Sequence, residues 1–289
     1  MWESIRRFVQ TNELELYIYG LLLVLFFAES LAYPVLRLKR ESLRELISNV
    51  VIILFHNLGK LVFLPPLVAL YIGLLKFRLF EFGWNMFDFL VALVLVDFTY
   101  YVHHRSMHRI GVLWTVHAVH HQPRFVNLSM ATRLSFFNKA LTYWFYLPLA
   151  LVGVPLSLLA FAGLVNGFYQ ALTHSRTMRL PSVLRFFLID SRDHHLHHSR
   201  APEVYDRNFG GMFAFWDRLF GSRAEQTETE KFDLAFAEGT AEYGLPGEDG
   251  QPGVVNNPVW ANLYPVLRLG RSIRDRGVSA IWTPPRVES

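Results

Sequence analysis

The chain has 289 residues and a formal net charge of +4, and 52% of its residues are hydrophobic while only 18% are charged. Soluble domains carry about 25% charged residues, and the apolar residues here form long blocks rather than amphipathic stripes, so the composition excludes an ordinary soluble protein and indicates a membrane protein. The absence of cysteine excludes disulfides and thiolate metal sites, and no basic run is long enough to predict a nucleic-acid partner.

Three apolar segments lie in the N-terminal part of the chain, at 14–36, 50–75 and 87–101. Each has the apolar composition of a membrane-spanning helix, so residues 1–102 are predicted to form N-terminal transmembrane helices. The positive-inside rule places the basic loop Arg37–Arg44 in the cytoplasm. The second and third segments then cross out and back, which returns the chain to the cytoplasmic side at His103.

A further apolar region, residues 141–172, is divided at Gly153 and is predicted to form either two spans or a hairpin that dips into the membrane. We therefore predict an all-α fold, a multi-pass membrane helical bundle of about four to five spans or half-spans with a histidine-rich helical cap on the cytoplasmic face. Residues 103–222, which include this hairpin, form the catalytic region. Residues 223–289 form an irregular tail with a short helix packed on the cap. The membrane is the plasma (inner) membrane if the source is bacterial and the endoplasmic reticulum if it is eukaryotic.

Most of the histidines occur in clusters with helical spacing. Residues three and four apart share a helix face, so HRSMH, HAVHH and HHLHH can each direct two or three imidazole rings towards one point. Another histidine directly follows an apolar helix and can reach the same place from another direction. The nine predicted metal ligands are His104, His108, His117, His120, His121, His174, His194, His197 and His198.

Nine imidazoles exceed what one ion holds, because zinc takes about four ligands and an octahedral ion about six. The spacing therefore predicts a two-metal site, although imidazole suits iron, zinc, copper and nickel and does not choose among them. His103 and His195 point about 100° away from their neighbours and are predicted to lie beside the site or at the surface. A competing register pairs His195 with His198, but His194 is preferred because HHLHH then repeats the spacing of HAVHH. His56 is predicted to face the bundle as a hydrogen-bonded residue.

Three acidic residues are candidates to accept the second ring N–H of a ligand histidine, as carboxylates often do at metal sites. Asp97 lies two helical turns before His104, at the membrane end of its helix, where a carboxylate needs a partner. Asp190 and Asp193 lie beside the last histidine cluster. For all three residues the alternative is a capping or solvated carboxylate.

The order and spacing of these motifs resemble the fatty acid hydroxylase/sterol desaturase superfamily of membrane di-iron enzymes. The resemblance covers about residues 90–222 and rests on DFTYYVHHRSMH, WTVHAVHHQP, ALTHS, DHHLHHSR and NFGGMFAFWDRLFGS. The last of these motifs is expected to pack beneath the site. The tail segments YGLP and NNPVWANLYP are similar to the alkylglycerol monooxygenase branch, whereas Arg176 stands where the family often has asparagine.

The resemblance implies two iron ions, bound by the nine histidines, and O2 as co-substrate for hydroxylating or desaturating a fatty-acyl, alkyl-ether or sterol lipid held in the bilayer. The chain has no dinucleotide-binding, haem-attachment or cysteine motif. We therefore expect an external electron-donor protein resembling cytochrome b5, a ferredoxin or a flavin reductase. Two alternatives remain. A membrane zinc-dependent hydrolase would need a motif such as H-E-x-x-H, which is absent here, and a metal-handling or transport protein would carry its histidines within the spans.

Overall fold

A computed structural model gives the fold and describes residues 20–21, 24–25, 28, 40–238, 241–245 and 257–283. The described part of the chain contains no strand, only helices, turns and two isolated β-bridges, so the prediction of an all-α protein is confirmed. Its α-helices are α1 (Arg40–Leu74), α2 (Met86–Arg109), α3 (Gly111–His121), α4 (Asn138–Thr142), α5 (Pro148–Val152), α6 (Leu156–Thr173), α7 (Ser182–Arg185), α8 (Ser191–His197), α9 (Phe215–Leu219), α10 (Gln226–Glu238) and α11 (Pro258–Arg276).

Three helical segments in the described residues are long and apolar enough to cross a membrane: Ile47–Phe77, Met86–Arg109 and Leu156–Thr173. In the most apolar window of the first segment only 17% of the residues are buried inside the protein. Such a surface is stable in the hydrocarbon of a bilayer and costly in water. The protein is therefore a membrane protein, as predicted, while the predicted span at residues 14–36 falls mostly outside the described residues.

The region predicted as two spans or a hairpin contains only one helix of spanning length, α6. The preceding stretch is broken into α4, a 3-10 helix at Tyr143–Tyr146 and α5, because Pro148 begins a new helix and Gly153 ends it. Gly153 has φ +111°, and a Cβ atom there would lie 2.0 Å from the carbonyl oxygen of Phe80. Two full spans are thus excluded for this region.

The apolar halves of α2 and α6 pack together around the buried residues Leu93, Val96, Leu158 and Ala162. The hydroxyl group of Tyr71 on α1 donates to the carbonyl oxygen of Val154 at 2.8 Å and ties α1, the first of the three spanning segments, to this core. The core occupies the half of α2 that comes before its histidines. As a result, the histidine-bearing end of α2 emerges from the bundle towards α3 and α8.

The tail is more regular than predicted, because α10 has 13 residues and α11 has 19. Asn257 caps α11 by accepting from the backbone N–H groups of Val259 and Trp260. Ala261 on α11 is buried with Ile52 of α1 and Val119 of α3. The expectation of a short helix was therefore wrong in length, since the helix continues through Pro265 to Arg276.

The predicted boundary at residue 102 falls inside α2. The division into residues 1–102, 103–222 and 223–289 thus stays a prediction about regions of the sequence.

Candidate metal centre

Nine buried histidines lie in two adjacent groups, and within each group one ring nitrogen per residue lies within 4.8 Å of the others. The five-histidine group consists of His104, His108, His117, His121 and His197. The four-histidine group consists of His120, His174, His194 and His198. The structure thus brings together all nine residues that the sequence singled out, and their binding of metal stays a prediction.

Each of the clusters HAVHH and HHLHH contributes to both groups, whereas a single point per cluster was expected. His117 and His121 share one group while His120 belongs to the other. In the same way, His194 and His198 share a group that His197 does not join. The reason is the geometry of the helix. Relative to a first histidine, the residue four positions later is rotated by about 40° around the helix axis, whereas the residue three positions later is rotated by about 60° in the opposite direction. A cluster with this spacing therefore contributes rings to both histidine groups.

The two groups are in direct contact. The rings of His121 and His198, one from each group, stack at 4.3 Å between centroids. The rings of His117 and His120 lie 5.4 Å apart. Two ions held by these groups would be close neighbours, which fits the prediction of a two-metal site.

Four of the nine rings donate their Nδ1–H to a backbone carbonyl oxygen. The pairs are His104 with Phe209 at 2.9 Å, His120 with Arg133 at 3.3 Å, His174 with Gln170 at 2.9 Å, and His197 with Arg207 at 2.8 Å. A carbonyl oxygen only accepts, so Nδ1 carries the proton in each ring and Nε2 of the neutral imidazole keeps its lone pair. These four hydrogen bonds fix the tautomer that binds a metal through Nε2.

The Nε2 atoms face one another in a way that a shared cation would stabilise. The Nε2 atoms of His120 and His174 lie 3.2 Å apart, and both rings already hold their proton on Nδ1, so two lone pairs oppose each other. Nε2 of His108 and Nε2 of His197 are buried without any hydrogen-bond partner in the described part of the chain. Nitrogens about 2.0–2.1 Å from one ion and at right angles to each other would be separated by about 3 Å. The residues present therefore fit a pair of metal ions.

Burial is the largest cause of the low pKa values of the histidines that lie outside the spans. It lowers the pKa of His174 and of His197 from 6.5 to about 4. The pKa values of His120, His194 and His198 also lie well below the usual range, because of burial first and neighbouring histidines second. The rings are consequently neutral at pH 7, which is the form that coordinates metal.

These shifts predict how the stability of the metal-free protein depends on pH. The pKa values of these histidines in the folded protein lie below the value of about 6.5 that they have in the unfolded chain. The unfolded chain therefore binds more protons, and the folded protein loses stability as the pH falls through about 6.5. We expect the metal-free protein in detergent to unfold at a lower temperature at about pH 5.5 than at about pH 7.5. A thermal unfolding series checks this expectation, and an unchanged or higher unfolding temperature in acid would contradict it.

The loop at residues 206–210 supplies two of the four carbonyl acceptors, and its geometry is fixed by an acid that sequence reasoning missed. Asp217, which is fully buried, accepts from the backbone N–H groups of Phe209 and Gly210 at 2.8 Å each. Asn208 has φ +56°, a left-handed conformation that asparagine tolerates. The signal was present in the motif NFGGMFAFWDRLFGS, which we expected only to pack beneath the site.

Asp97 makes different contacts from those proposed for it. Its carboxylate accepts from Asn166 Nδ2 at 2.6 Å and Trp216 Nε1 at 2.9 Å, and from the backbone N–H groups of Met212 and Phe213 at 2.7 and 3.1 Å. None of these four donors is a histidine. Asp97 therefore joins α2 to α6 and to the segment that follows the carbonyl loop, rather than contacting a ligand ring.

Asp190 and Asp193 have the capping role that was the alternative for them. The Asp190 side chain accepts from the backbone N–H groups of Arg192 and Asp193, and the Asp193 side chain reaches back to the Asp190 N–H, which forms a capping box at the start of α8. Asp193 also pairs with Arg185 at 3.1 Å and Arg223 at 2.7 Å. These contacts hold the helix that carries His194, His197 and His198.

The three remaining histidines lie outside both groups. His103 is buried against Phe145, and neither of its ring nitrogens has a partner among the described residues. His195 is buried as well, with Nε2 3.0 Å from the carbonyl oxygen of His174, so neither residue lies at the surface. His56 lies 3.1 Å from the carbonyl oxygen of Ser135, in agreement with its expected hydrogen-bonded role.

A buried arginine packs next to the four-histidine group. Arg133, whose carbonyl accepts from His120, is fully buried and donates to Val119 O at 2.8 Å, Asn49 Oδ1 at 2.9 Å and Gln122 Oε1 at 3.0 Å. The residue therefore connects α1, the end of α3 and the acceptor of a ligand ring.

We expect Arg133→Met to weaken metal binding by about 10–100-fold, the usual effect of disturbing a group that orients a ligand. A metal-chelator competition with the purified protein measures this. Arg124→Met is the matched control, because that side chain in the same connection is only half-buried. Equal affinities in the two variants would contradict a role for Arg133 in the site.

Known proteins that are similar to this chain belong to the class that its histidine motifs resemble. The family model for fatty acid hydroxylases matches residues 89–222. The chain is 33% identical over 168 residues to the alkylglycerol monooxygenase of Danio rerio, an alignment that covers 58% of this chain and 37% of that protein. It is 32% identical over 160 residues to the human alkylglycerol monooxygenase, covering 55% of this chain and 36% of that protein.

A bacterial protein is also similar to this chain. Identity to the ornithine lipid hydroxylase OlsE of Rhizobium tropici is 28% over 171 residues, which covers 58% of this chain and 51% of that protein. The chain thus spans between about a third and half of the length of these relatives. No solved structure matches the chain.

Proposed function

We propose that the chain is an iron-dependent oxygenase that uses O2 to hydroxylate a C–H bond of a membrane lipid, on the premise that residues 89–222 match the family model for fatty acid hydroxylases. The observation that carries the proposal is the pair of adjacent groups in which nine buried histidines face one another. The relatives carry names of monooxygenases and lipid hydroxylases, so we propose hydroxylation rather than desaturation.

The nine imidazole nitrogens, taken together with the match to the fatty acid hydroxylase model, support a redox-active metal. Imidazole nitrogens alone suit iron, zinc, copper and nickel, but oxygenase chemistry needs an ion that can change its oxidation state. Two iron ions, when bound, would supply the reduction of O2 and the oxidising power to break an unactivated C–H bond. All nine histidines would hold them, five at one centre and four at the other.

The chain itself provides orientation and exclusion of water. The carbonyl oxygens of Phe209, Arg133, Gln170 and Arg207 hold four rings in the tautomer with Nε2 available. All nine rings are buried, so the site has little water to compete with an apolar substrate. The histidines lie at the ends of α2 and α6 rather than along them, where a lipid chain from the bilayer can approach.

The names of the relatives and the motifs absent from the sequence indicate the lipid substrate and the source of electrons. We propose an alkyl-ether or fatty-acyl lipid as substrate, since the relatives are named for alkylglycerol and ornithine lipid. The electrons come from a separate donor protein on the cytoplasmic face, because the sequence contains no motif for a nicotinamide, flavin or haem group. A zinc-dependent hydrolase is less well supported, because the sequence contains no H-E-x-x-H motif, in which a glutamate serves as the general base. A metal transporter is less well supported because the groups lie at span ends.

The test is lipid mass spectrometry of cells that express the full chain, grown under isotope-labelled O2. We expect one labelled oxygen atom to be gained by a membrane lipid, and we expect no gain in cells expressing His120→Ala. Loss of two hydrogens without oxygen would indicate desaturation and contradict the hydroxylation proposal. An unchanged lipid profile with iron bound to the protein would contradict the oxygenase proposal altogether.

A further inference from the structure

The helix α11 exposes an apolar face that no other described part of the chain covers. Its buried side carries Ala261 and Pro265. The opposite side carries five large apolar residues whose side chains are between 42% and 58% exposed: Val259, Trp260, Leu263, Val266 and Leu267. At 100° per residue these five positions fall on one face of the helix. A face of this kind on a folded protein marks a binding surface.

The position of α11 beside α1 puts this face at the edge of the membrane. Ala261 packs against Ile52, which lies five residues inside the segment Ile47–Phe77, or about 8 Å at 1.5 Å per residue. On α1 itself the exposed apolar surface already includes Ile47, Val50 and Leu54. Both helices therefore expose apolar residues on the sides turned away from the contact between Ile52 and Ala261. The contact lies at a depth typical of interfacial helices, which enter the bilayer by about 5–10 Å.

The charges and aromatic residues of the segment also fit a lipid surface. The last two turns of α11 expose three arginines, Arg271, Arg274 and Arg276, and one acid, Asp275. This excess of positive charge is complementary to anionic headgroups. Trp260 and Trp282, both exposed, have the amphipathic side chain that favours the headgroup region.

We propose that α11 lies in the interface of a bilayer that contains anionic lipids, with Val259, Leu263 and Val266 among the acyl chains and the arginines at the headgroups. Two contacts transmit this position to the metal centre. Gln122, directly after His121, donates to the carbonyl oxygen of Ala261 at 3.0 Å. Asn262 accepts from the backbone N–H of Phe136 at 2.9 Å. The helix therefore acts as an anchor that sets the depth of the histidine groups relative to the lipid.

The absence of cysteine makes a site-directed depth measurement direct. Leu263→Cys is labelled with a nitroxide in the full chain, reconstituted in vesicles of phosphatidylcholine and phosphatidylglycerol. The collision rate of the label is then measured with O2, which concentrates in lipid, and with a water-soluble nickel chelate. Leu234→Cys is the matched control, because Leu234 is also an exposed leucine, on the charged helix α10.

We expect the label at position 263 to collide several-fold more with O2 than with the chelate, and the label at position 234 to show the opposite preference. Equal preference for the chelate at both positions would overturn the proposal. Shielding of position 263 from both reagents would overturn it as well, because a second copy or another segment of this chain would then cover the face. Val259→Cys repeats the measurement on the same face if Leu263→Cys does not fold. The result does not depend on iron or on oxygenase activity, so it is separable from the proposed function.

Discussion

Replacing His120 by alanine is expected to remove the metal from the four-histidine group and to lower lipid hydroxylation by more than about 100-fold. Groups that only orient a ligand already cost about 10–100-fold when they are lost, and His120 is itself one of four predicted ligands, with Nε2 3.2 Å from Nε2 of His174. The five-histidine group does not include His120, so its metal should remain. Metal analysis and the labelled-oxygen lipid assay together measure both effects.

His103→Ala is the matched control for this experiment. His103 is also a buried histidine, one residue before a predicted ligand, but it belongs to neither group. We expect it to change metal content and hydroxylation only modestly. The neighbouring pair His194→Ala and His195→Ala repeats the comparison within α8, where only His194 belongs to a group. Equal losses in the members of either pair would show that the assignment of ligands is wrong.

Asp97→Ala is expected to cause the second large effect, on stability. The carboxylate accepts hydrogen bonds from four donors on α6 and the 212–216 segment, and each buried donor left without a partner costs about 1–3 kcal/mol. We expect the free energy of unfolding to fall by more than about 3 kcal/mol. Asp97→Asn should be intermediate, because it keeps one acceptor oxygen but turns an amide towards other donors. Thermal or denaturant unfolding in detergent measures the change.

Asp88→Ala provides the control on the same helix. Asp88 accepts from the backbone N–H of Gly83 and from Asn85 Nδ2, at the partly exposed start of α2, where water can replace the lost acceptor. Its removal should cost about 1 kcal/mol or less. If the two alanine variants lost the same amount of stability, the carboxylate of Asp97 would not hold the helices together as described.

The sequence predicted the membrane class, and it singled out the nine histidines that the structure brings together, because both inferences depend on local patterns. Long apolar blocks determine which segments can span a bilayer, and helical spacing determines which rings share a face. The preference for His194 over His195 rested only on repetition of an earlier motif, and the structure places His194 in a group and His195 outside both.

Other features depend on distant parts of the chain and could not be predicted from local patterns. The division of HAVHH between two groups depends on where α8 and His174 arrive. Asp97 meets donors 69 to 119 positions later in the sequence, and Phe209 accepts from a ring 105 positions earlier. The 19-residue length of α11 was not predicted either; the helix starts with Pro258 in its first turn, where proline is tolerated, and continues past Pro265.

Metal analysis of the purified full chain tests the central claim most directly. If the two histidine groups are the two centres of an oxygenase, the protein should contain about two iron ions per chain, and His120→Ala should contain about one, as two adjacent centres require. Zinc in place of iron, or full iron content in the His120→Ala protein, would contradict the account.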